Sequence, residues 1–320
     1  KEKEREAEMP EIFNIPKNVR EGQTLGGVAL VKNVNIGKTR NGKPFASGSI
    51  VTKDGTTSFK KWDTDTLPSG IYEISGVYNV YQGVGSVIIN NLVAAGDQFT
   101  VEDFVTMRYN GTELFTKGLY PLVKANVSTR GLKLFRLILQ GRGGTDKTMA
   151  NRFTNEQAAI HHHDAVMHGL IAHSYKVTRL LVEMLSDPMR VFKDLPEEVK
   201  DVIIVGGALH DLGKTLEYNN GEISDLGKLL SHRTLLSERI AMFKDDIIKL
   251  YGDDGEITYY RLQSIVTQHH GEYEESPRTF EAYLVHLADN YDAMLTDTDE
   301  ALTQYLAGGN VRVGGFTLNL

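Results

Sequence analysis

The hydrophobic periodicity of this chain changes once, near Gly96, and that change limits the folds open to it. Before it, short runs rich in β-branched residues (Val28-Ala29-Leu30-Val31, Ile71-Tyr72-Glu73-Ile74, Val87-Ile88-Ile89) are separated by turn chemistry at Asn41-Gly42, Asp54-Gly55 and Pro68-Ser69-Gly70. After it, apolar residues recur at the helical spacing. Short helices are expected at 101–107, 114–123 and 132–139, followed by a flexible break at Gly141-Arg142-Gly143-Gly144. Longer apolar stripes cover 170–185, 197–209, 228–243, 260–268 and 279–296. The chain therefore reads as a β module followed by an α module.

Five or so strands in about 70 residues predict a small antiparallel barrel, for which an OB-fold is the natural size match. The expected organisation is a solvated segment over 1–22, an OB-fold nucleic-acid-binding domain over 23–95 and a helical connector over 96–155. An all-α bundle over 156–305 and a Gly-rich tail over 306–320 complete it. Without an initiating Met, the chain is expected to begin inside a longer polypeptide. With 320 residues, 41% hydrophobic and 24% charged, the composition is globular and excludes disordered and collagenous classes. No apolar run reaches the ~18 residues of a membrane helix and no signal-peptide pattern opens the chain, so no membrane partner is expected. The absence of cysteine removes disulfides, thiolate metal sites and a Cys nucleophile, and fits a cytoplasmic home.

All ten histidines fall between His161 and His286. Charge is divided as well: residues 1–150 carry 20 basic and 15 acidic side chains, whereas residues 201–300 carry 8 and 20. A mildly basic front half beside an acidic, His-rich back half suggests a polyanion-handling module joined to a metal-handling one.

The local motif with most chemistry is His210-Asp211-Leu212-Gly213-Lys214, at the end of an apolar helix. Neighbouring side chains on a helix diverge by about 100°, so the pair chelates only at a helix end or between helices. There the imidazole gives one neutral ligand and the carboxylate can bridge two ions. His173 upstream, then His232, His269-His270 and Asp289 downstream, place five His and two Asp on successive helices. That set fills two metal shells built from inward-facing bundle side chains. Imidazole and carboxylate without sulfur favour Mn, Fe, Co, Ni or Zn over Ca or Mg.

The order H…HD…H…HH…D resembles the HD-domain metal-dependent phosphohydrolases in their two-metal form. With the preceding barrel, the chain is similar to the YhaM-type 3′→5′ exoribonucleases. In the front module the likeness rests on Asn41-Gly42-Lys43-Pro44-Phe45 and Lys61-Trp62-Asp63. In the back it rests on His163 ten residues before His173, the Gly207 to Lys214 stretch, Ser231-His232, Gln268-His269-His270-Gly271, and the Leu284 to Ala293 stretch. The resemblance implies two divalent ions, manganese first among the candidates. One would be held by His173, His210, Asp211 and Asp289, and the other by His232, His269 and His270 with Asp211 bridging. Lys214 would reach a phosphate oxygen, its alternative being a solvated lysine past a helix end. A two-metal hydroxide mechanism would cleave phosphodiesters in line.

Departures from the family pattern concern Asp164, where a second His is common, and His168, where a small residue is usual. His163 is read as a substrate contact or a residue supporting the ligands from behind, and His168 as a surface residue. His286 is either an orienting partner of Asp289 or a satisfied core histidine, and Asp292 is a substitute ligand should the register differ. On the barrel, Lys38, Arg40, Lys43, Phe45, Lys61 and Trp62 are the candidate nucleic-acid contacts, with Phe59, Lys60, Tyr78 and Tyr81 nearby. Aromatic faces beside cations hold unpaired bases and phosphates. Trp62 is equally readable as the barrel's core plug.

The expected function is degradation of single-stranded RNA, or DNA, to 5′-mononucleotides from the 3′ end. The alternatives are an HD-type hydrolase of nucleotides or cyclic nucleotides and a non-catalytic nucleic-acid-binding module. A homo-oligomer assembled through the bundle is compatible with the sequence.

Overall fold

A computed structural model describes residues 11–16, 18–52, 55–81, 83–105, 109–159, 166–219, 221–271, 275–306, 312–313 and 316–317. It divides into two compact units at Met107/Arg108.

The first unit is a closed barrel of β1 (Thr24–Lys38), β2 (Pro44–Thr52), β3 (Gly55–Trp62), β4 (Gly70–Tyr81) and β5 (Val84–Ala94). Its order is β1-β2-β3-β5-β4, closed by the antiparallel β1–β4 pairing, with β3 and β5 parallel. This is the five-stranded OB-fold expected from the strand count. Alternate residues fill the interior: Ala29 and Val31, Tyr72 and Ile74, Val87 and Ile89, with Ile50 and Phe59 between them. Period-two burial is what a strand with one wet face requires.

The two ends of this unit differ from the sequence reading. Residues 11–16, expected within a solvated lead-in, pack onto β1: Phe13 is 1% exposed and its N–H donates to Val28 O at 2.8 Å. Gly27 makes that approach possible. Its φ of +143° suits glycine, and a Cβ there would sit 2.8 Å from Glu11 O and Phe13 N. At the other end, residues 106 and 107 of the expected helix over 101–107 lie outside the described residues; the rest holds a single 3₁₀ turn at Val101–Asp103, and the following Phe104 covers Val28 and Leu30 on the barrel's outer face.

The second unit is helical. A turn at α1 (Gly111–Glu113) runs through a π-helical Leu114–Leu119 into α2 (Tyr120–Asn126), followed by α3 (Thr129–Gln140) and α4 (Lys147–Asn155). Then come α5 (Gly169–Ser186), α6 (Glu197–Leu209), the short α7 (Lys214–Glu217) and a hairpin of β6 (Tyr218–Asn219) with β7 (Glu222–Ile223). The last four helices are α8 (His232–Ala241), α9 (Lys244–Tyr251), α10 (Gly255–Gln268) and α11 (Phe280–Leu306). The central α6 is buried without interruption from Asp201 to Leu209. Residues 111–155, expected as a connector, share its core: Leu119, Val123, Leu134, Phe135 and Phe153 join one cluster with Leu170, Val202 and Val285. No helix among the described residues is long and apolar enough to cross a membrane.

A buried carboxylate ties these first helices to α6. Asp201, fully buried, accepts hydrogen bonds from Ser128 N (2.7 Å), Ser128 Oγ and Tyr251 OH (3.0 Å). Ser128 Oγ in turn caps α3 by accepting from the N–H groups of Arg130 and Gly131. Burial and the Asp201 charge push the Tyr251 hydroxyl up, so it remains a donor. Truncation of Asp201 strands three donors inside the protein. Asp201→Ala is expected to cost about 2–3 kcal/mol, read as a lower urea midpoint of the helical signal. An unchanged midpoint would remove this anchor from the account.

Candidate metal centre

The chemistry-bearing side chains sit where helices end or face inward. His210 and Asp211 follow the last residue of α6, His232 opens α8, and His269 and His270 follow α10. His173 and Asp289 project from within α5 and α11. Adjacent residues past a helix end are freed from the 100° divergence, which is how both members of His210-Asp211 reach one cluster. Gly213 lets the α8 start close in, because a Cβ there would lie 1.9 Å from His232 O.

Asp211 is 2% exposed and its two oxygens face different partners. Oδ2 lies 3.6 Å from His173 Nε2 and 3.4 Å from His210 Nε2. Oδ1 lies 3.3 Å from His232 Nε2 and 3.6 Å from His269 Nε2. Asp289 Oδ1 closes the first side, 3.0 Å from His173 Nε2 and 3.7 Å from His210 Nε2. His270 joins the second, its ring 4.4 Å from that of His269 and 5.1 Å from that of His232. Ligand atoms of Asp211, His232, His269 and His270 lie within 4.8 Å of one another, and so do those of His173, His210 and Asp211.

Four imidazoles are held from behind. Nδ1 of His173 meets Asp292 Oδ2 at 2.8 Å and Nδ1 of His232 meets Glu217 Oε2 at 2.9 Å. Nδ1 of His210 meets Gly207 O at 2.8 Å and that of His269 meets Ile265 O at 3.2 Å. With Nδ1 engaged outward, each Nε2 is turned toward Asp211, the orientation a metal ligand needs. Asp211 Oδ1, His232 Nε2 and His269 Nε2 are buried with no hydrogen-bond partner. Three orphaned acceptors converging on one point are costly unless a cation satisfies them. The residues therefore fit a divalent ion in the His/Asp donor set that borderline metals accept.

Electrostatics divide the centre. Burial pushes His269 down to about 4 and His270 down to about 3, so both rings are neutral. Burial opposes charge on His210 too, but Asp211 beside it prevails and holds it up at about 10. His173 is likewise raised against its burial, by hydrogen bonds to Asp289 and Asp292. Asp211 and Asp289 stay well below the usual carboxylate range despite burial: Lys214 and His210 hold the first, His173 and His210 the second.

Every sequence-named metal residue lies in this cluster. Lys214 is 13% exposed at its side chain and pairs with Asp211 Oδ2 at 2.7 Å, so it is not a solvated lysine. Asp289 faces the cluster, and Asp292, read as a substitute ligand, instead supports His173 from behind. His163 lies outside the described residues. His168, expected at the surface, is 8% exposed in a left-handed conformation (φ +63°), its Nδ1 2.7 Å from Thr154 O. Among the described residues His286 forms no hydrogen bond with Asp289; its Nδ1 meets His269 O at 2.7 Å. Glu217 was not anticipated. It lies fifteen residues before His232, a separation that no local pattern marks.

On the barrel, Phe45 and Trp62 are register partners on β2 and β3, their rings 5.4 Å apart, with Lys60 Nζ 5.8 Å from the Trp62 ring. Trp62 is 43% exposed, which excludes the core-plug reading; the buried aromatic is Phe59, at 1%. Lys38, Arg40 and Lys43 flank the β1–β2 turn and are exposed. Lys43 faces Asp63 at 3.8 Å, and Lys61 Nζ donates to Asn90 O at 3.2 Å.

Residues 170–294 match the HD domain family, which implies dependence on a divalent metal. Across both units the chain is similar to the 3'-5' exoribonuclease YhaM of Geobacillus sp. (strain WCH70), 27% identical over 307 residues, covering 90% of this chain and 87% of that relative. The 3'-5' exoribonuclease YhaM of Oceanobacillus iheyensis is 28% identical over 304 residues, covering 90% and 89%. That of Listeria monocytogenes is 26% identical over 301 residues, covering 88% of each. No solved structure matches the chain.

The two supporting carboxylates should be felt in cation affinity. Asp292→Asn and Glu217→Gln are each expected to weaken Mn²⁺ binding by about 10–100-fold, measured by equilibrium dialysis with metal analysis. Wild-type affinity in both variants would show that the rings are oriented by packing alone.

Proposed function

We propose that this chain is a metal-dependent 3′→5′ exoribonuclease that degrades single-stranded RNA to 5′-mononucleotides. One observation carries the reading: two groups of imidazole Nε2 atoms face the two oxygens of one buried aspartate, in a chain about 90% of which aligns with exoribonucleases. His173, His210, Asp211 and Asp289 would hold one ion, and Asp211, His232, His269 and His270 the other. Manganese suits this mixed set of nitrogen and oxygen donors. Bound there, two ions supply activation of a water and charge stabilisation on the phosphoryl oxygens.

The chain's own residues prepare that chemistry. Asp292, Glu217 and the carbonyls of Gly207 and Ile265 fix the tautomer and direction of four rings. The neutral His269 and His270 are ready as ligands without first losing a proton. Lys214 is held at the cluster by Asp211 and offers a scissile phosphate a second positive charge. On the barrel, the exposed Phe45–Trp62 pair gives bases a stacking surface beside Lys60 and the cations of the β1–β2 turn.

Two measurements test the reading. With Mn²⁺, RNA blocked at its 5′ end is expected to yield 5′-mononucleotides, and RNA blocked at its 3′ end to survive; Asp211→Asn abolishes both release and turnover. The opposite polarity, or preferential cleavage of cyclic dinucleotides in competition, would overturn it. Trp62→Ala is expected to weaken single-strand binding by about 1–3 kcal/mol, seen as a roughly 5- to 150-fold rise in Kd. An unchanged Kd would remove Trp62 from the binding surface.

A further inference from the structure

The barrel strands and their loops, residues 24–94, carry 7 basic and 4 acidic side chains, but the first unit as a whole has no positive surplus. Residues 1–107 carry 12 basic and 13 acidic side chains, whereas residues 108–150 carry 8 and 2. Between Glu113 and Asp146 there are six basic residues and no acidic one. This stretch is α2 and α3 of the helical unit, and it precedes the segment matched to the HD domain.

Three of the six cations are engaged. Lys117 pairs with Glu113 at 2.9 Å, Arg130 reaches Glu197 at 3.5 Å, and Arg142 meets Asp246 at 2.6 Å. Lys124, Lys133 and Arg136 are exposed and have no carboxylate partner among the described residues. On α3 the buried side is Gly131, Leu134, Phe135, Ile138 and Leu139. At 100° per residue, the opposite side is Thr129, Lys133, Arg136 and Gln140, two cations and two neutral polar groups. Arg136 lies over the Tyr120 ring, its guanidinium 5.5 Å from the centroid, and hydrogen-bonds the Tyr120 hydroxyl. Tyr120 also meets Phe135, which joins the start of α2 to α3. Lys124 follows Tyr120 by four residues, one turn along α2 and about 40° around it, and so lies on the side of α2 that carries Tyr120.

We infer that Lys124, Lys133 and Arg136, on the helical unit and outside the residues of the metal centre, form a binding surface for the phosphate backbone of a single-stranded nucleic acid. Cations left without carboxylate partners are free to replace the counterions of a polyanion. An arginine spread on a tyrosine ring is pre-ordered and gives up less rotamer freedom on meeting a phosphate. The inference rests on the exoribonuclease reading and extends it: the substrate would be gripped by helices of the catalytic unit as well as by the OB-fold.

The test uses the full chain carrying Asp211→Asn, so that the probe survives, and a labelled 20-nucleotide single-stranded RNA read by fluorescence anisotropy. Lys124→Glu, Lys133→Glu and Arg136→Glu together are expected to raise Kd at least about tenfold and to reduce the slope of log K against log salt by about 2. Lys249→Glu, a single reversal on α9, should leave both at the parent values, whereas each of the three single reversals on α2 and α3 should raise Kd. Should the triple reversal unfold, the three Gln replacements are expected to reduce the slope in the same direction. An equal loss on DNA of the same sequence supports phosphate recognition, and a loss confined to RNA overturns it. Parent-like Kd and slope in folded triple variants would overturn the surface alone. A parent that bound no nucleic acid would overturn the nuclease reading and this surface with it.

Discussion

Burial of Asp211 is the constraint around which the helical unit is arranged. A carboxylate at 2% exposure is unfavourable unless both oxygens are satisfied. Here each oxygen has its own group of imidazoles, with Lys214 added on one side. Reaching it requires α5, α6, α8, α10 and α11 to present residues at one point, which in turn fixes how those helices meet. The α6 helix, buried from Asp201 to Leu209, delivers Asp211 to the interior, and the smallness of Gly213 lets α8 come close behind it. Packing and chemistry are thus set by the same few positions.

Support for the cluster is uneven, and the pattern follows the backbone. His210 and His269 lie just past helix ends, where carbonyls of the preceding turn are within reach of Nδ1. His173 is inside a helix and His232 starts one, and there side-chain carboxylates take over, Asp292 and Glu217. Asp292 is itself steadied by Lys176 at 3.3 Å. The divided charge of the sequence also has a physical location now. The acidic back half places Asp211 and Asp289 against imidazoles, with Lys214 on Asp211, and the basic residues of 108–150 include four on α2 and α3.

Much of the fold was legible because its signals are local. Asn41-Gly42 and Pro68-Ser69-Gly70 mark turns by backbone chemistry, and β-branched runs mark strands, so five strands and a barrel followed. The helix at Glu197–Leu209 has the bounds its apolar run suggested. Where the signal was long-range, the reading went astray. Residues 11–16 look solvated by composition yet pair with Val28 through a glycine opening. His168 carries an ionisable ring and looks superficial, but Thr154 offers it a buried carbonyl. Helices of 111–155 look like a linker because nothing in sequence reveals that Leu134 and Phe135 meet the core of α6.

The sequence by itself determined which residue types could hold a metal, since no cysteine is present and His and Asp recur at helix ends in one order. It also determined the β-then-α division, since hydrophobic period is written residue by residue. Only the tertiary structure decided that Asp289 rather than Asp292 faces the cluster, that Glu217 stands behind His232, and that Trp62 is exposed while Phe59 fills the barrel. Each of these depends on rotation of one element against another. Three residues on β3 turn a side chain to the opposite face, whereas three on α11 move it one turn along nearly the same face, from the Nε2 side of His173 to its Nδ1 side. Periodicity fixes the faces of an element, and packing chooses what each face meets.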